Sequence, residues 1–411
     1  MKQHTKDLYI NNTKEIQMKK LIAAAVAVAV IAPASVLAAG PTLYGKLHVS
    51  VDGLDNNGKG SDNTQYDEWS LQSNSSRIGV KGSEDLGNGM KVGYLIEWGV
   101  DMDGDGGDLS ERNRAITLSG DWGTALAGKW DTPFKTTGRK LDLFGDRIGD
   151  TRNLSKFGTT ENRAKNVAAY VTPNMNGFSA TVAYVFDAGT GNLGGAEYSD
   201  DNSDNNAWSF NAIYKNGPIL AVLGYVDYSD DGRAQTVTTT SGGFSIDQTT
   251  GLVTGSPVVS TTSSTNSDNA TAWRAGGAYT FGDFKVIASY TDFESQNFVK
   301  DYDTSMWTLG GSYKMGSNTI KLQYSDLDDS DLKTCGTTGL EGCKDGADMW
   351  TVGLDHAMSK RTTVYAAYST TDNNDDSART TWASSSGHGA TASAVTGEDA
   401  DAFSVGIIHK F

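Results

Sequence analysis

Residues 76–100, SRIGVKGSEDLGNGMKVGYLIEWGV, constrain the fold more than any other stretch of the chain. From Met90 onward the side chains alternate with a period of two. Met90, Val92, Tyr94, Ile96, Trp98 and Val100 fall on one face, and Lys91, Gly93, Leu95, Glu97 and Gly99 on the other. Successive side chains of a strand point to opposite faces, so strict alternation over this length specifies a strand with one apolar face. The arm is as long as a tilted strand needs to be to cross a bilayer, and it ends in large aromatics, as a strand does where lipid meets water. One end turns tightly through Glu84-Asp85-Leu86-Gly87-Asn88-Gly89, and the other runs into the acidic loop DMDGDGGDLSE at 101–111. A tight turn on one side and a long polar loop on the other is the asymmetry of a transmembrane barrel hairpin.

The rest of the chain repeats this unit. The first strand is expected at 42–52, the second from 68 through 81, and the fourth and fifth at 112–120 and 123–131. Strands six and seven are expected at 163–172 and 177–187, then pairs at 206–215 with 218–228, 271–281 with 283–293, 304–315 with 318–326, and 347–357 with 362–370. The last strand is 401–411. Short turns such as Asn216-Gly217 and Gly316-Ser317 alternate with long polar connections, and the apolar faces carry Trp and Tyr at their ends (Trp273, Tyr279, Trp307, Tyr313, Trp350). About sixteen strands result, an even number as bacterial barrels require. A large soluble β-sandwich also gives period-two strands with one buried face. The alternating connection lengths and aromatic rims favour the barrel. No linker divides the chain, so 39–411 reads as one domain. Residues 132–162 lack alternation, and a stretch that long inside a compact domain is usually functional.

The N-terminus reads as a targeting segment. MKKLIAAAVAVAVIAPASVLA, residues 18–38, has a basic start, an apolar run and a small-residue cleavage site with Val36 and Ala38 at −3 and −1. The start of translation is placed at Met18, with residues 1–17 an extension and cleavage after Ala38. That cleavage removes five lysines and two acidic residues and takes the formal charge from −16 to −19. Such a chain repels nucleic acid. Mean hydropathy, at −0.41, does not separate a soluble protein from a barrel, whose strands hide in the average.

Cys335 and Cys343 are the two cysteines, and export favours a disulfide that closes a small surface loop, with two free thiols as the alternative. Asp101, Asp103, Asp105 and Gly106 match positions 1, 3, 5 and 6 of a calcium loop, but Arg112 stands where the bidentate Glu belongs. An acidic surface loop is the simpler reading, with weak divalent binding as the alternative. The five histidines are scattered, no phosphate loop or nucleophile elbow appears, and neither catalysis nor a cofactor is expected.

The segments SRIGVKGSEDLGNGMKVGYLIEWG, NRAITLSGDWGTALAGKWDTPFK, KNVAAYVTPNMNGFSATVAYVF and the terminal FSVGIIHKF resemble the Gram-negative general porins of the neisserial and proteobacterial branch. The resemblance covers essentially all of the chain after Ala38. It implies an all-β, sixteen-stranded antiparallel outer-membrane barrel with short periplasmic turns, long extracellular loops and a third loop folded inward. It also implies a homotrimer embedded in outer-membrane lipid and lipopolysaccharide, and a water-filled pore for passive diffusion of small hydrophilic solutes and ions. Phe411 occupies the place of the family's signal to the barrel-assembly machinery. On the strand register, Lys46, Arg77, Lys81 and Glu97 face the lumen. Arg112, Arg114, Lys129, Arg163 and Lys165 lie on strands where the family places its basic wall, although Ala169 stands where a polar lumen residue is expected. Opposing acids are expected from the third loop: Asp142, Asp146 and Asp150. Basic groups facing acidic ones would set a transverse field across the narrowest point. The net charge leans the expected preference weakly toward cations. A plugged barrel serving as an adhesin or phage-binding protein, and a solute-specific channel, are the alternatives.

Overall fold

The computed structural model describes residues 39–57, 66–104, 109–155, 160–186, 206–229, 268–332, 342–382 and 394–411, together with four strand fragments between 235 and 265. The N-terminal segment 1–38, Asp105 and Cys335 lie outside the described residues. Strand β1 (Ala39–Asp55) is followed by β2, broken into Asp67–Ser73 and Arg77–Gly87, and by β3 (Met90–Gly99), β4 (Ser110–Gly120) and β5 (Gly123–Asp131). A long connection leads to β6 (Arg163–Val171), β7 (Phe178–Val185), β8 (Ala207–Asn216) and β9 (Ile219–Tyr228). The circuit continues through β10 (Ala270–Phe281), β11 (Phe284–Glu294), β12 (Thr304–Met315) and β13 (Asn318–Leu327). It ends with β14 (Ala347–Ala357), β15 (Thr362–Asn373) and β16 (Ala400–Lys410). Each pairs antiparallel with the next, and β16 returns to β1 with Lys46 opposite Lys410 and Asp55 opposite Asp401. Closure into a sixteen-stranded barrel leaves no unpaired edge, a requirement for any sheet that crosses lipid.

The turns explain the pairing. Asn88 and Gly89, between β2 and β3, have φ of 51° and 76°, so both central residues are left-handed, as a two-residue type I′ turn demands. The break in β2 is equally local. Asn74 N–H donates to the His48 carbonyl at 2.8 Å, His48 N–H donates to Ser76 Oγ at 2.9 Å, and β1 pairs with both halves across the bend.

The wall is inverted relative to a water-soluble protein. Leu43, Val51, Trp69, Ile116, Leu223, Leu309 and Val352 point outward and are exposed on the isolated chain, whereas His48, Ser50, Asp52, Ser209, Asn211, Arg274 and Thr351 are buried inside. An outward apolar band over a polar interior is what a bilayer selects. Aromatic groups rim both ends. Phe281, Phe284 and Tyr313 stack at the turn side with centroids 5.5 and 4.3 Å apart. Trp307, Tyr324 and Trp350 neighbour one another at the loop side at 4.9 and 4.3 Å.

The barrel interior is filled by the connection between β5 and β6, which folds inward as expected. It carries α1 (Pro133–Gly138), which begins with Pro at its first turn and is capped by the Thr132 side chain, and α2 (Arg152–Ser155). Phe134, Leu141, Phe144, Ile148 and Leu154 are each at most 2% exposed against the inner wall. Burial of such side chains contributes about 1.5–3 kcal/mol apiece. The wall makes room for them by omitting its own side chains. A Cβ at Gly224 would lie 2.8 Å from Thr137, one at Gly353 2.7 Å from Phe144, and one at Gly310 3.1 Å from Leu143. One at Gly276 would run into Leu141.

Candidate functional site

The inward loop brings its acids to the wall formed by β1 to β4. Asp146 is the centre of the arrangement. Lys46 Nζ on β1 lies 2.8 Å from its carboxylate, Arg139 and Arg152 of the same loop lie 3.2 Å away, and Arg77 on β2 lies at 3.9 Å. Arg77 also approaches Glu97 on β3 at 3.6 Å, and Arg112 on β4 donates to Glu97 at 2.6 Å. Arg152 pairs in addition with Asp150, whose carboxylate accepts the Asp146 N–H at 2.8 Å. Beside this network, Asp131 at the end of β5 is held by Lys135 at 3.0 Å and Arg163 at 3.3 Å. Seven cations therefore meet four carboxylates.

The two signs are not equally presented to the lumen. The side chains of Arg139 and Arg77 are 30% and 23% exposed, while those of Asp146 and Asp150 are 5% and 0% exposed. The acids are recessed beneath the cations that neutralise them. Burial alone would raise the Asp146 carboxyl, but Lys46, Arg139 and Arg152 hold it well below the usual carboxylate range. Its backbone is left-handed, with φ of 61°, a conformation Asp tolerates better than most residues and one that marks a locally over-determined site.

Asp142 has a different surrounding. Its carboxyl accepts from Phe144 N–H at 2.8 Å and Gln323 Nε2 at 3.3 Å. Burial, and then the charge of Asp150, push its pKa up to about 8. Among the described residues Asp142 therefore makes no ion pair of its own but adjoins Asp150 at the edge of the network, and it ties the loop to β13. Arg147 and Lys321 share Asp355 on β14 at 2.6 Å each, and the Arg147 guanidinium lies 4.1 Å from the Tyr365 ring centre. Arg274 on β10 pairs at 2.6 Å with Glu161, both fully buried, and closes the far end of the loop.

The alignment of the chain with a family model decides its membership. The Gram-negative porin model matches residues 23–376. The chain belongs to the Gram-negative porin family. Among curated relatives, this porin is 31% identical to outer membrane porin protein 32 of Delftia acidovorans over 50% of its own length and 58% of that protein's. It is 34% identical to major outer membrane protein P.IB of Neisseria gonorrhoeae over 26% of its length and 32% of that protein's. The matches thus span little more than half, and about a third, of these relatives. Among solved structures, an anion-selective porin from Comamonas acidovorans superimposes with a TM-score of 0.67 at 25% identity, covering 90% of this porin and 99% of that chain. The closed barrel and the family together make this an outer-membrane β-barrel protein.

The porin's expected basic residues divide into two groups. Lys46, Arg77, Arg112 and Arg163 reach the network; Lys81 faces the lumen nearer the turn side, over the Tyr44 ring at 5.1 Å, outside the carboxylate cluster. Arg114, Lys129 and Lys165 are corrected by the structure, because they project from the outer face. Glu97 opposes both Arg112 and Asn113, a bulge that puts Arg114 opposite Ile96 on the lipid side. Lys129 pairs with Arg114 across β4 and β5, and a second bulge between Gly128 and Trp130 turns Lys165 outward. These three surround Glu111, with Arg114 at 3.0 Å and Lys129 at 3.2 Å, in an outer cavity of about 750 Å³ that Lys165 also lines. The family resemblance implies which strands carry the basic wall but not where a bulge falls, and the two bulges decide which of these side chains face the lumen.

Among the acids, Asp146 and Asp150 form ion pairs within the network, and Asp142 adjoins it through Asp150. Lys135, Arg139 and Asp131 belong to the site although the pattern gave no sign of them; all three stand where alternation ends. Asp103 accepts the Ser73 N–H at 2.6 Å, which uses its carboxylate to hold β2. Asp101 lies at the start of the same connection, and Asp105 is outside the described residues. Cys343 is disulfide-bonded, while Cys335 falls outside the described residues. Phe411 closes the seam, exchanging backbone hydrogen bonds with Gly45 at 3.0 and 3.2 Å.

Proposed function

We propose that this porin is a passive channel for small hydrophilic solutes and ions that favours anions at its narrowest point. The observation that carries this reading is the balance of charge at the site: seven cations meet four carboxylates, an excess of three positive charges, with Asp146 and Asp150 recessed while Arg139 and Arg77 are the most exposed members. A permeating ion meets groups within a few ångströms there, whereas loop acids at the mouth are screened over roughly 8 Å at physiological salt. The local cations therefore outweigh the acidic total, which reverses the weak cation lean drawn from net charge. The name of the Comamonas protein, an anion-selective porin, accords with this.

We further propose a homotrimer in lipid and lipopolysaccharide, assembled through recognition of Phe411 at the barrel seam. The outward group of Arg114, Lys129 and Lys165 suits either a neighbouring protomer or lipid phosphates. No chemistry is required of the lumen groups, which act by field and width. Single-channel recording of the refolded mature protein in a planar bilayer tests the channel reading. Ohmic steps arriving in threes support it. A correctly folded, heat-modifiable barrel that passes no current refutes it and moves the weight to the loops as a binding surface.

A further inference from the structure

The connection between β15 and β16 reads as one more polar loop, yet the structure buries its first limb in the barrel mouth. Trp382 is fully buried in one apolar cluster with Leu54 of β1, Phe144 and Ile148 of the inward loop, and Tyr365 and Ala367 of β15. The Thr381 carbonyl accepts the Gly149 N–H at 2.7 Å and a bond from Asn153 Nδ2, so two residues of the inward loop's apex end on one atom of another loop. The limb is itself braced. Asn373 Nδ2 donates to the Arg379 and Glu398 carbonyls at 2.8 Å each, joining both limbs, and Gly397 N–H donates to Ser377 at 2.8 Å. The adjoining residues are tied to the preceding loop: Asp376 N–H donates to the Lys344 carbonyl at 2.8 Å, and Lys344 pairs with Asp375 at 3.1 Å.

We infer that the first limb of the β15–β16 connection, residues 374–382, is a clamp on the constriction, in which the Thr381 carbonyl and the Trp382 ring are positioning groups for residues 144–153 of the inward loop. Asp146 lies between the two points of attachment, Ile148 and Gly149 on one side and Phe144 on the other. The Lys46–Asp146 pair at 2.8 Å is thereby held in register from above as well as from the wall. A buried aromatic ring makes many close contacts that a smaller side chain cannot replace. Its removal frees the apex to leave the wall without touching a charge in the permeation path, so the clamp sets how steadily the pore stays narrow.

This inference rests on the reading of the lumen as an open channel, and the experiment separates the two. Trp382→Ala, Trp382→Phe and Asn153→Ala are compared with the parent, all as full mature chains refolded and checked for heat-modifiable mobility. Trp382→Ala is expected to increase the time spent at additional current levels about tenfold or more, with Trp382→Phe restoring quiet current. Amide hydrogen exchange at Gly149, whose N–H ends on Thr381, is expected to accelerate in Trp382→Ala and Asn153→Ala but not in a Trp350→Ala control on the outer rim. Unchanged exchange at Gly149 in folded Trp382→Ala overturns the clamp. If Trp382→Ala does not fold, Asn153→Ala decides by the same reading, with faster exchange for the clamp and unchanged exchange against it. A parent that carries no current but shows the exchange difference refutes the channel and retains the clamp.

Discussion

Lys46 and Asp146 are separated by a hundred positions in the chain and meet at 2.8 Å inside the barrel, the first on the wall and the second at the apex of the inward loop. The contact joins the two parts that a channel of this kind must hold at fixed separation. It also means that the loop acid does not face the basic wall across an open gap. It is inserted into the wall's charge, so the field at the constriction comes from the cations left over.

Replacing Asp146 with Asn leaves Lys46, Arg139 and Arg152 short of one carboxylate. Breaking a buried ion pair from one side costs about 3–5 kcal/mol, since the remaining charge stays desolvated. The expected result is a folded barrel with noisier current and faster hydrogen exchange along 144–153, together with a stronger anion preference. Quiet current with unchanged exchange would show that Asp146 does not hold the apex.

Arg77→Ala with Arg112→Ala lowers the local excess from three positive charges to one and removes two groups at the lumen surface. The reversal potential in a salt gradient should move toward zero. Arg114→Ala, Lys129→Ala and Lys165→Ala together remove as many as three charges from the outer face and should leave that potential where it was. Equal shifts from the two variants would contradict the assignment of faces by the bulges at 112–113 and 165–166.

Gly224→Leu places a branched side chain where Thr137 and Phe134 of the inward loop rest, and the three heavy atoms nearest its Cβ all belong to that loop. Overpacking of this kind costs about 1–3 kcal/mol, and here the loop can yield more easily than the paired wall. Higher conductance with barrel stability nearly unchanged is expected. A loss of barrel stability with the conductance of the parent would place the strain in the wall instead.

Seating of the inward loop should depend on pH through Asp142 and Asp146 in opposite senses. Asp142 is raised to about 8 when seated, so the seated state holds more protons than the released one. Its contribution is full below the ordinary carboxylate range and is lost as pH rises from about 4 through about 8. Asp146 is depressed, so its contribution is present above about 4 and lost on acidification. Current noise recorded against pH should therefore grow toward both extremes. Asp142→Asn should abolish the alkaline rise and keep the acid one; a rise that persists in Asp142→Asn rules out Asp142 as its source.

The strands were legible because a wall with lipid on one side and water on the other enforces a period of two over every crossing. Sixteen staves, their turns and the inward position of 132–162 all follow from that pattern and from the family resemblance. Lys46 and Arg77 could be assigned because each stands in an arm that alternates cleanly around it, whereas Arg112 rested on the family resemblance and stands in the β4 bulge itself. Arg114 and Lys165 could not, since one inserted residue in β4 and one in β6 reverse every later face while leaving the sequence rhythm nearly intact. Lys135 and Arg139 lie in a segment with no repeat, where position depends on contacts with Gly224 and Gly276 across the barrel rather than on local pattern. Trp382 was hidden for a related reason: its loop is polar on average, and a single buried ring does not alter an average.

The central claim, that recessed acids leave the constriction electropositive, is tested most directly by the zero-current potential of the refolded mature porin in a bilayer separating unequal potassium chloride solutions. The account predicts a potential of the sign that chloride carries, reduced toward zero in the Arg77→Ala, Arg112→Ala double variant. A potential of the sign that potassium carries in the parent protein would contradict it.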